Sequence, residues 1–73
     1  MELYWEKFCA TSFGGSYNIL FRNVKYNVCQ ETIINLDKDG NPESEEVIYY
    51  FDGEMKEFKT EEELIVEIKS RGL

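Results

Sequence analysis

Carboxylates dominate the side chains of this sequence that could do chemistry, and histidine is missing. The 73 residues include fifteen aspartates and glutamates and no histidine. This excludes Ser-His-Asp and Cys-His catalytic sites, histidine-bound zinc and an imidazole base. Asp52 and Glu54 could form an acid/base pair, yet neighbouring acids on a turn are usually hydrated and so short a chain rarely encloses a pocket. We therefore expect a protein that is not an enzyme.

Two short motifs resemble binding loops but lack the residues that binding requires. The stretch FGGS, residues 13–16, has none of the later glycine, lysine and Ser/Thr residues of a phosphate-binding loop. In DKDG, counted from Asp37, glycine stands at the fourth position and Ile48 at the twelfth. A calcium loop needs glycine at its sixth position and a bidentate glutamate at its twelfth. A turn is the favoured interpretation of both motifs, and no cofactor or metal is predicted.

The composition predicts one small globular domain in the cytoplasm. With 42% hydrophobic and 15% aromatic residues the chain is apolar enough to build a core. Its start, MELYWEKFCA, has neither the basic nor the apolar stretch of a signal peptide, and no apolar run approaches the length of a membrane span. In the cytoplasm Cys9 and Cys29 would be reduced, and their spacing matches no zinc or redox motif. We expect both to be small buried hydrophobic residues.

Negative charge is concentrated in the second half of the chain. Residues 1–36 hold three acids and three bases, residues 37–67 hold twelve acids and three lysines, and two bases follow, which gives the net charge of −7. Such a chain lacks the basic face that direct binding to nucleic acid or to an anionic membrane needs. It would instead bind a protein with a basic surface. The predicted partner-binding acidic surface consists of Glu43, Glu45, Glu46, Asp52, Glu54 and Glu57.

The N-terminal residues 2–11 fit either a helix or a strand. Tyr4, Trp5, Phe8 and Cys9 share one face at helical spacing, whereas Leu3 and Trp5 also fit a short strand. The helix is the preferred prediction, and the strand is the open alternative.

Alternation of apolar and polar residues, as at Tyr17, Ile19 and Phe21, then predicts a strand from Tyr17 and another from Val24 to Leu36. In the second strand the face that includes Thr32 and Ile34 is predicted to be buried. No apolar residue lies between Leu36 and Val47, which predicts a long hairpin loop there. The run VIYYF, residues 47–51, is apolar at every position and predicts a central strand covered on both faces.

The last third of the chain predicts a tight hairpin and a helix. Asp52-Gly53 is a strong hairpin signal, and it leads to an edge strand on which Met55 is expected to point inward. Thr60 and Glu63 have the spacing of a capping box, and Gly72 suits the helix end. The buried stripe of this helix is predicted to be Leu64, Ile65 and Ile68.

These elements predict a small α+β fold with residues 1–73 as a single domain. Its antiparallel meander of three or four strands would be packed by the C-terminal helix, with the N-terminal helix on the other side. If the N-terminal segment leaves that side uncovered, Ile48 and Tyr50 become exposed and a homodimer is expected.

Two functions fit this sequence. The first is a non-enzymatic acidic interaction or inhibitor protein. In size and charge class the chain resembles small phage and mobile-element proteins that act against nucleic-acid-binding defence enzymes, such as anti-CRISPR and antirestriction proteins. The alternative is a structural or regulatory module of a bacterial cytosolic complex, acidic only for solubility, whose aromatic interface is Trp5, Tyr49 and Tyr50. High salt would weaken docking through charge and leave docking through aromatic residues nearly unchanged.

Overall fold

The protein is a five-stranded antiparallel sheet with one C-terminal helix. The computed structural model describes all of residues 1–73. Consecutive strands are neighbours throughout, in the order β1-β2-β3-β4-β5. The predicted α+β meander with a C-terminal helix is confirmed, although it has five strands and not three or four. The elements are β1 (Glu6–Phe13), β2 (Ser16–Asn23), β3 (Val28–Leu36), β4 (Pro42–Phe51), β5 (Glu57–Phe58) and α1 (Glu61–Ser70).

The preferred prediction of an N-terminal helix is wrong, because residues 6–13 form the edge strand β1. The register of β1 against β2 shifts between Lys7 and Cys9, as it does at a β-bulge. A bulge interrupts the strict alternation of a strand. For this reason the apolar residues around Phe8 have a spacing that resembles that of a helix. Before β1, residues 1–5 form no helix or strand, and the Asn23 side-chain amide donates a hydrogen bond of 3.0 Å to the Tyr4 carbonyl.

The connection between β2 and β3 lies later than the sequence indicated. Residues 24–27, predicted as the start of a strand, form a turn that leaves Val24 71% exposed. Asn27 has a φ of 56°, a left-handed conformation that asparagine tolerates better than most residues. The Asn23 side chain accepts a hydrogen bond of 2.9 Å from the Tyr26 N–H and so closes the turn.

The loop predicted between Leu36 and Val47 is shorter than expected, because β4 already begins at Pro42. Asp37 organises the remaining residues, since its carboxylate accepts 2.9 Å hydrogen bonds from the N–H groups of Asp39 and Asn41. The glutamates that suggested a loop belong to the strand. Their exposed positions tolerate charge while the backbone hydrogen bonds of β3 hold the strand in place.

The turn at Asp52-Gly53 is confirmed, since the Glu54 N–H donates to the Phe51 carbonyl at 3.0 Å and Gly53 has a positive φ of 83°. The hairpin is not the tight one predicted, because β4 and β5 first pair at Tyr50 and Glu57. The inward position predicted for Met55 is wrong, because Met55 precedes β5 and is 97% exposed. Phe58, 6% exposed, fills the interior instead. β5 is so short that it pairs only with Tyr49 and Tyr50 of β4.

The predicted N-cap and the glycine at the end of α1 are confirmed. The second half of the capping box is shifted by one residue, since the Glu63 carboxylate accepts from the Lys59 N–H at 3.4 Å and not from the Thr60 N–H. Thr60 is the N-cap, and its hydroxyl accepts a 3.2 Å hydrogen bond from the Glu63 N–H. At the other end Gly72 has a φ of 74°, and the Leu73 N–H donates to the Ile68 carbonyl at 3.3 Å. This is a Schellman motif, in which the glycine relieves the strain of the left-handed conformation.

The core lies at one end of the elongated molecule, which measures 46 × 22 × 19 Å. Paired residues on neighbouring strands place their side chains on the same face of a sheet. The face that carries Val28 and Phe51 also carries α1 and is called the helix face; the face of Cys29 and Tyr50 is called the open face, since no strand or helix packs on it. The core cluster consists of Leu3, Val28, Phe51, Phe58, Leu64 and Ile68.

Candidate interaction surface

The six acidic residues of the predicted partner-binding surface fall into two groups along the sheet. Glu43, Glu45 and Glu46 are exposed on β4 at the end remote from the core, which is called the distal end. Asp52, Glu54 and Glu57 follow β4 or lie on β5, at the core end. Asp52 follows Glu46 by six positions, which span about 20 Å of extended strand. The two groups are therefore separate surfaces.

Three of these six acids are engaged within the protein. Arg22 pairs with Asp52 at 3.5 Å and Lys59 with Glu46 at 3.7 Å, both with exposed side chains. Arg71 forms the strongest pair, donating to both carboxylate oxygens of Glu54 at 2.7 and 2.8 Å. These hydrogen bonds lower the pKa of Glu54 below its ordinary value. The acids that remain without an ion pair are Glu43, Glu45 and Glu57.

The residues of the predicted aromatic interface lie on different faces. The Trp5 and Tyr49 rings pack at a centroid distance of 6.0 Å on the helix face, and the Trp5 indole N–H donates to Glu61 at 3.1 Å. Tyr50 lies opposite Cys29 on the open face. Trp5 and Tyr49 thus form one aromatic pair that packs against the edge of the core.

The distal part of the helix face carries apolar side chains that no helix covers. Two rows of directly paired residues cross β1 to β4 there, Ala10–Ile19–Thr32–Val47 and Ser12–Tyr17–Ile34–Glu45. None of them belongs to the core cluster, and α1 contacts only β4 and β5. Its ten residues extend about 15 Å, whereas the nine residues of β3 extend about 30 Å. These two rows are called the distal patch, and its apolar residues are Ala10, Tyr17, Ile19, Ile34 and Val47.

The sequence assigned Ile34 and Thr32 to the buried side of a strand, and it also supplied the alternation at Tyr17 and Ile19. What it missed is that α1 stops short of them. Thr32 is nevertheless only 9% exposed, shielded by neighbouring side chains of the sheet, whereas Ile34 is half-buried. The signal was present in the length of the predicted helix, which is too short to span strands of this length.

On the open face, Ile48 is only 7% exposed although no helix or strand covers it, so its predicted exposure is wrong. Its cross-strand partner is Glu31, and Tyr50 beside it is half-buried. Burial, reinforced by the charges of Cys29 and Glu31, raises the pKa of the Tyr50 phenol to about 12. Side chains of the sheet itself therefore shield the middle of the open face.

The raised pKa of Tyr50 predicts a loss of stability at alkaline pH. In the unfolded chain a tyrosine ionises near its ordinary value of 10.0, whereas folded Tyr50 keeps its proton until about pH 12. The contribution of this phenol is thus complete below pH 10 and is lost as the pH rises from about 10 to about 12. We expect Tyr50→Phe to flatten that decline in urea unfolding curves. Tyr4→Phe, at a side chain 74% exposed, is the control, and equal slopes for both variants would contradict the prediction.

The two cysteines have different environments. Cys29 is buried as predicted, and burial raises the pKa of its thiol. The prediction of a buried Cys9 is wrong, because β1 is an edge strand on which Cys9 is exposed.

The structure contains one cavity. The single cavity, of about 220 Å³, is an open cleft between the N-terminal segment and the turn after β2, lined by residues such as Tyr4 and Val24. Ligand pockets are commonly larger, about 300–1,000 Å³. Asp52 and Glu54 bind different arginines. No group of three or more acidic or cysteine side chains is arranged to hold a metal ion, and no helix has the length and apolarity to cross a membrane.

Comparison with known proteins gives no assignment. No protein-family model, curated protein or solved structure matches the chain significantly.

Proposed function

We propose that this protein is a non-enzymatic interaction protein that docks on a basic surface of a larger protein through its acidic distal end. The observation that carries the proposal is the charge of that end. Residues 35–46 contain five acids, Asp37, Asp39, Glu43, Glu45 and Glu46, against Lys38 alone. Only Glu46 of these five makes an ion pair.

The basic residues of the protein reinforce this charge distribution. Both arginines are engaged internally, Arg22 with Asp52 and Arg71 with Glu54 and Glu67. Arg71 also lies over the Phe51 ring at 3.8 Å, at the core end. The positive charge best suited to bidentate pairing is therefore used within the protein, and the distal end is left to attract an external cation.

The finer form of the proposal names the partner as a nucleic-acid-binding protein and the effect as inhibition. Such proteins carry basic grooves for phosphate groups, and an acidic protein that occupies the groove competes with the nucleic acid. This is the logic of the phage and mobile-element inhibitors that the chain resembles in size and charge class.

Charge reversal at the distal end tests the proposal. We expect immobilised wild-type protein to retain nucleic-acid-binding proteins from nuclease-treated bacterial lysate at low salt and to release them at high salt. At low salt, the variant Glu43→Lys/Glu45→Lys should retain at least about tenfold less of these proteins than the wild type. The readout is quantitative mass spectrometry of the bound proteins.

The matched control is Glu2→Lys/Glu6→Lys, which changes the net charge equally at exposed acids outside the distal end, neither of which forms an ion pair. It should retain the same proteins as the wild type. Retention that survives high salt, or that both double variants reduce equally, would contradict docking through the distal end. Salt-resistant retention would favour the alternative of a structural module with an aromatic interface.

A further inference from the structure

On the helix face, α1 covers only the core end of the sheet and leaves the distal end without a helix. At the core end the sheet is covered by α1 and by the N-terminal segment, with Leu3 in the core and Trp5 packed on Tyr49. Beyond Tyr49 the next residue on this face of β4 is Val47, in the distal patch, which nothing helical covers. The Trp5–Tyr49 pair therefore stands at the boundary between the covered and the uncovered sheet.

Acidic groups lie at both ends of the uncovered surface. Glu45 occupies the distal row, opposite Ile34. At the boundary, the pKa of Tyr49 is raised by burial and then by the charges of Glu61 and Glu62, which places these first residues of α1 near its phenol. Among the strand residues of this face Lys7, opposite Phe21, is the one base. Arg71 also lies over this face, at the Phe51 ring, but at the core end and not at the distal patch. An occupant of the distal patch would need an apolar centre with cations towards both ends.

The dimensions of the distal patch favour a helix over a second sheet. Four strands and about four residues along each give roughly 19 by 14 Å, or about 270 Å². A helix is about 10–12 Å wide, and about twelve residues of it are 18 Å long, so one helix covers such an area. A stable dimer usually buries about 800 Å² on each partner.

A second copy of the chain is also disfavoured by charge. Stacking two distal patches would bring Glu45, Glu61 and Glu62 of both copies towards one interface, with Lys7 of each copy as the only base. Like charges brought together in this way weaken association. A cationic partner turns the same acids into attractive groups.

We propose that the distal patch docks an amphipathic helix of the partner protein, with apolar residues on one side and lysine or arginine on its flanks. The docked helix would extend the layer that α1 begins and would pack beside Trp5 on Ile19, Ile34 and Val47. This inference rests on the proposed function and names the element of the partner that is recognised.

A model peptide tests this proposal directly. The probe is an amphipathic helix of about 14 residues made only of leucine and lysine, and its leucine–glutamate counterpart is the charge control. Trp5 is the only tryptophan of the protein, so its fluorescence reports on binding at the boundary of the patch. We expect a saturable change with the leucine–lysine peptide and none with the leucine–glutamate peptide.

Neighbouring isoleucines of β3 provide matched variants. Ile34 lies on the helix face and Ile33 on the open face, and both are half-buried. We expect Ile34→Asn to weaken binding of the leucine–lysine peptide by about tenfold and Ile33→Asn to leave it unchanged. Circular dichroism checks that each variant folds. If Ile34→Asn does not fold, Ile19→Asn and Leu20→Asn, which lie on opposite faces of β2, replace the pair.

Other outcomes would overturn the proposal. Equal weakening by both variants would show that the peptide binds the acidic protein without using the patch. A dimer in light scattering that Ile34→Asn dissociates would assign the patch to self-association. In either case the proposed function would still stand if Glu43→Lys/Glu45→Lys abolishes salt-sensitive partner retention, so the two proposals fail separately.

Discussion

Leu64→Ala is expected to lower the free energy of unfolding by about 3 kcal/mol. Leu64 is 0% exposed and packs in the only core cluster, at the point where α1 meets the sheet. Its truncation removes buried methyl groups and leaves a cavity where α1 packs on the sheet. A domain of this size has a total stability of only about 4–11 kcal/mol, so the variant should melt far below the wild type.

Val66→Ala is the matched control for this prediction, since Val66 lies in the same helix and is 67% exposed. We expect it to change the free energy of unfolding by less than about 0.5 kcal/mol. Urea unfolding followed by circular dichroism measures both variants. Similar losses in the two would mean that α1 contributes through helix propensity and not through the core.

Trp5→Ala is expected to lower the free energy of unfolding by about 2 kcal/mol, somewhat less than Leu64→Ala. Trp5 is half-buried, its ring packs on Tyr49 at 6.0 Å, and its indole N–H binds Glu61 at 3.1 Å. The substitution removes aromatic packing and a hydrogen bond to a charged group, each worth about 1 kcal/mol or more. It also loosens the segment that brings Leu3 into the core.

Tyr4→Ala is the control, because Tyr4 is adjacent in sequence but 74% exposed. Thermal unfolding should separate the two variants by several degrees, since about 1 kcal/mol shifts the midpoint of a small domain by roughly 4–8 °C. If Trp5→Ala and Tyr4→Ala have the same unfolding midpoint, the N-terminal segment does not stabilise the packing of the helix on the sheet.

Local signals made α1 predictable. Thr60, Glu63 and Gly72 act within a few residues of their own positions, so the sequence alone specifies both ends of the helix. The burial of Leu64 and Ile68 was also predictable, because a single short helix has only one apolar side that can pack on the sheet.

The errors arose where pairing between strands decides the outcome. The helix-like spacing of the apolar residues around Phe8 comes from a bulge in β1, and a bulge depends on the neighbouring strand. Glu45 and Glu46 have low intrinsic preference for strands, but pairing with Ile34 and Ile33 of β3 places them in β4.

The sequence predicted which acidic residues form the candidate surface, but not how they are arranged in the fold. Sequence identified the acidic residues, but the pairing of Asp52 with Arg22 joins positions 30 apart and depends on the tertiary fold. Likewise the alternation at Ile34 predicted a buried face, and only the position of α1 at the core end shows which part of that face is uncovered.

The core contains residues from the segment before β1 and from α1, and this determines when the core can form during synthesis. The hairpins of β1 to β4 involve neighbouring segments and can pair as they leave the ribosome. Leu3, however, meets its core partners Leu64 and Ile68 only after α1 has been made. Until then the apolar side chains of the sheet have no helix to pack against, so the nascent protein depends on the short time between the synthesis of β4 and of α1 to avoid association with other chains.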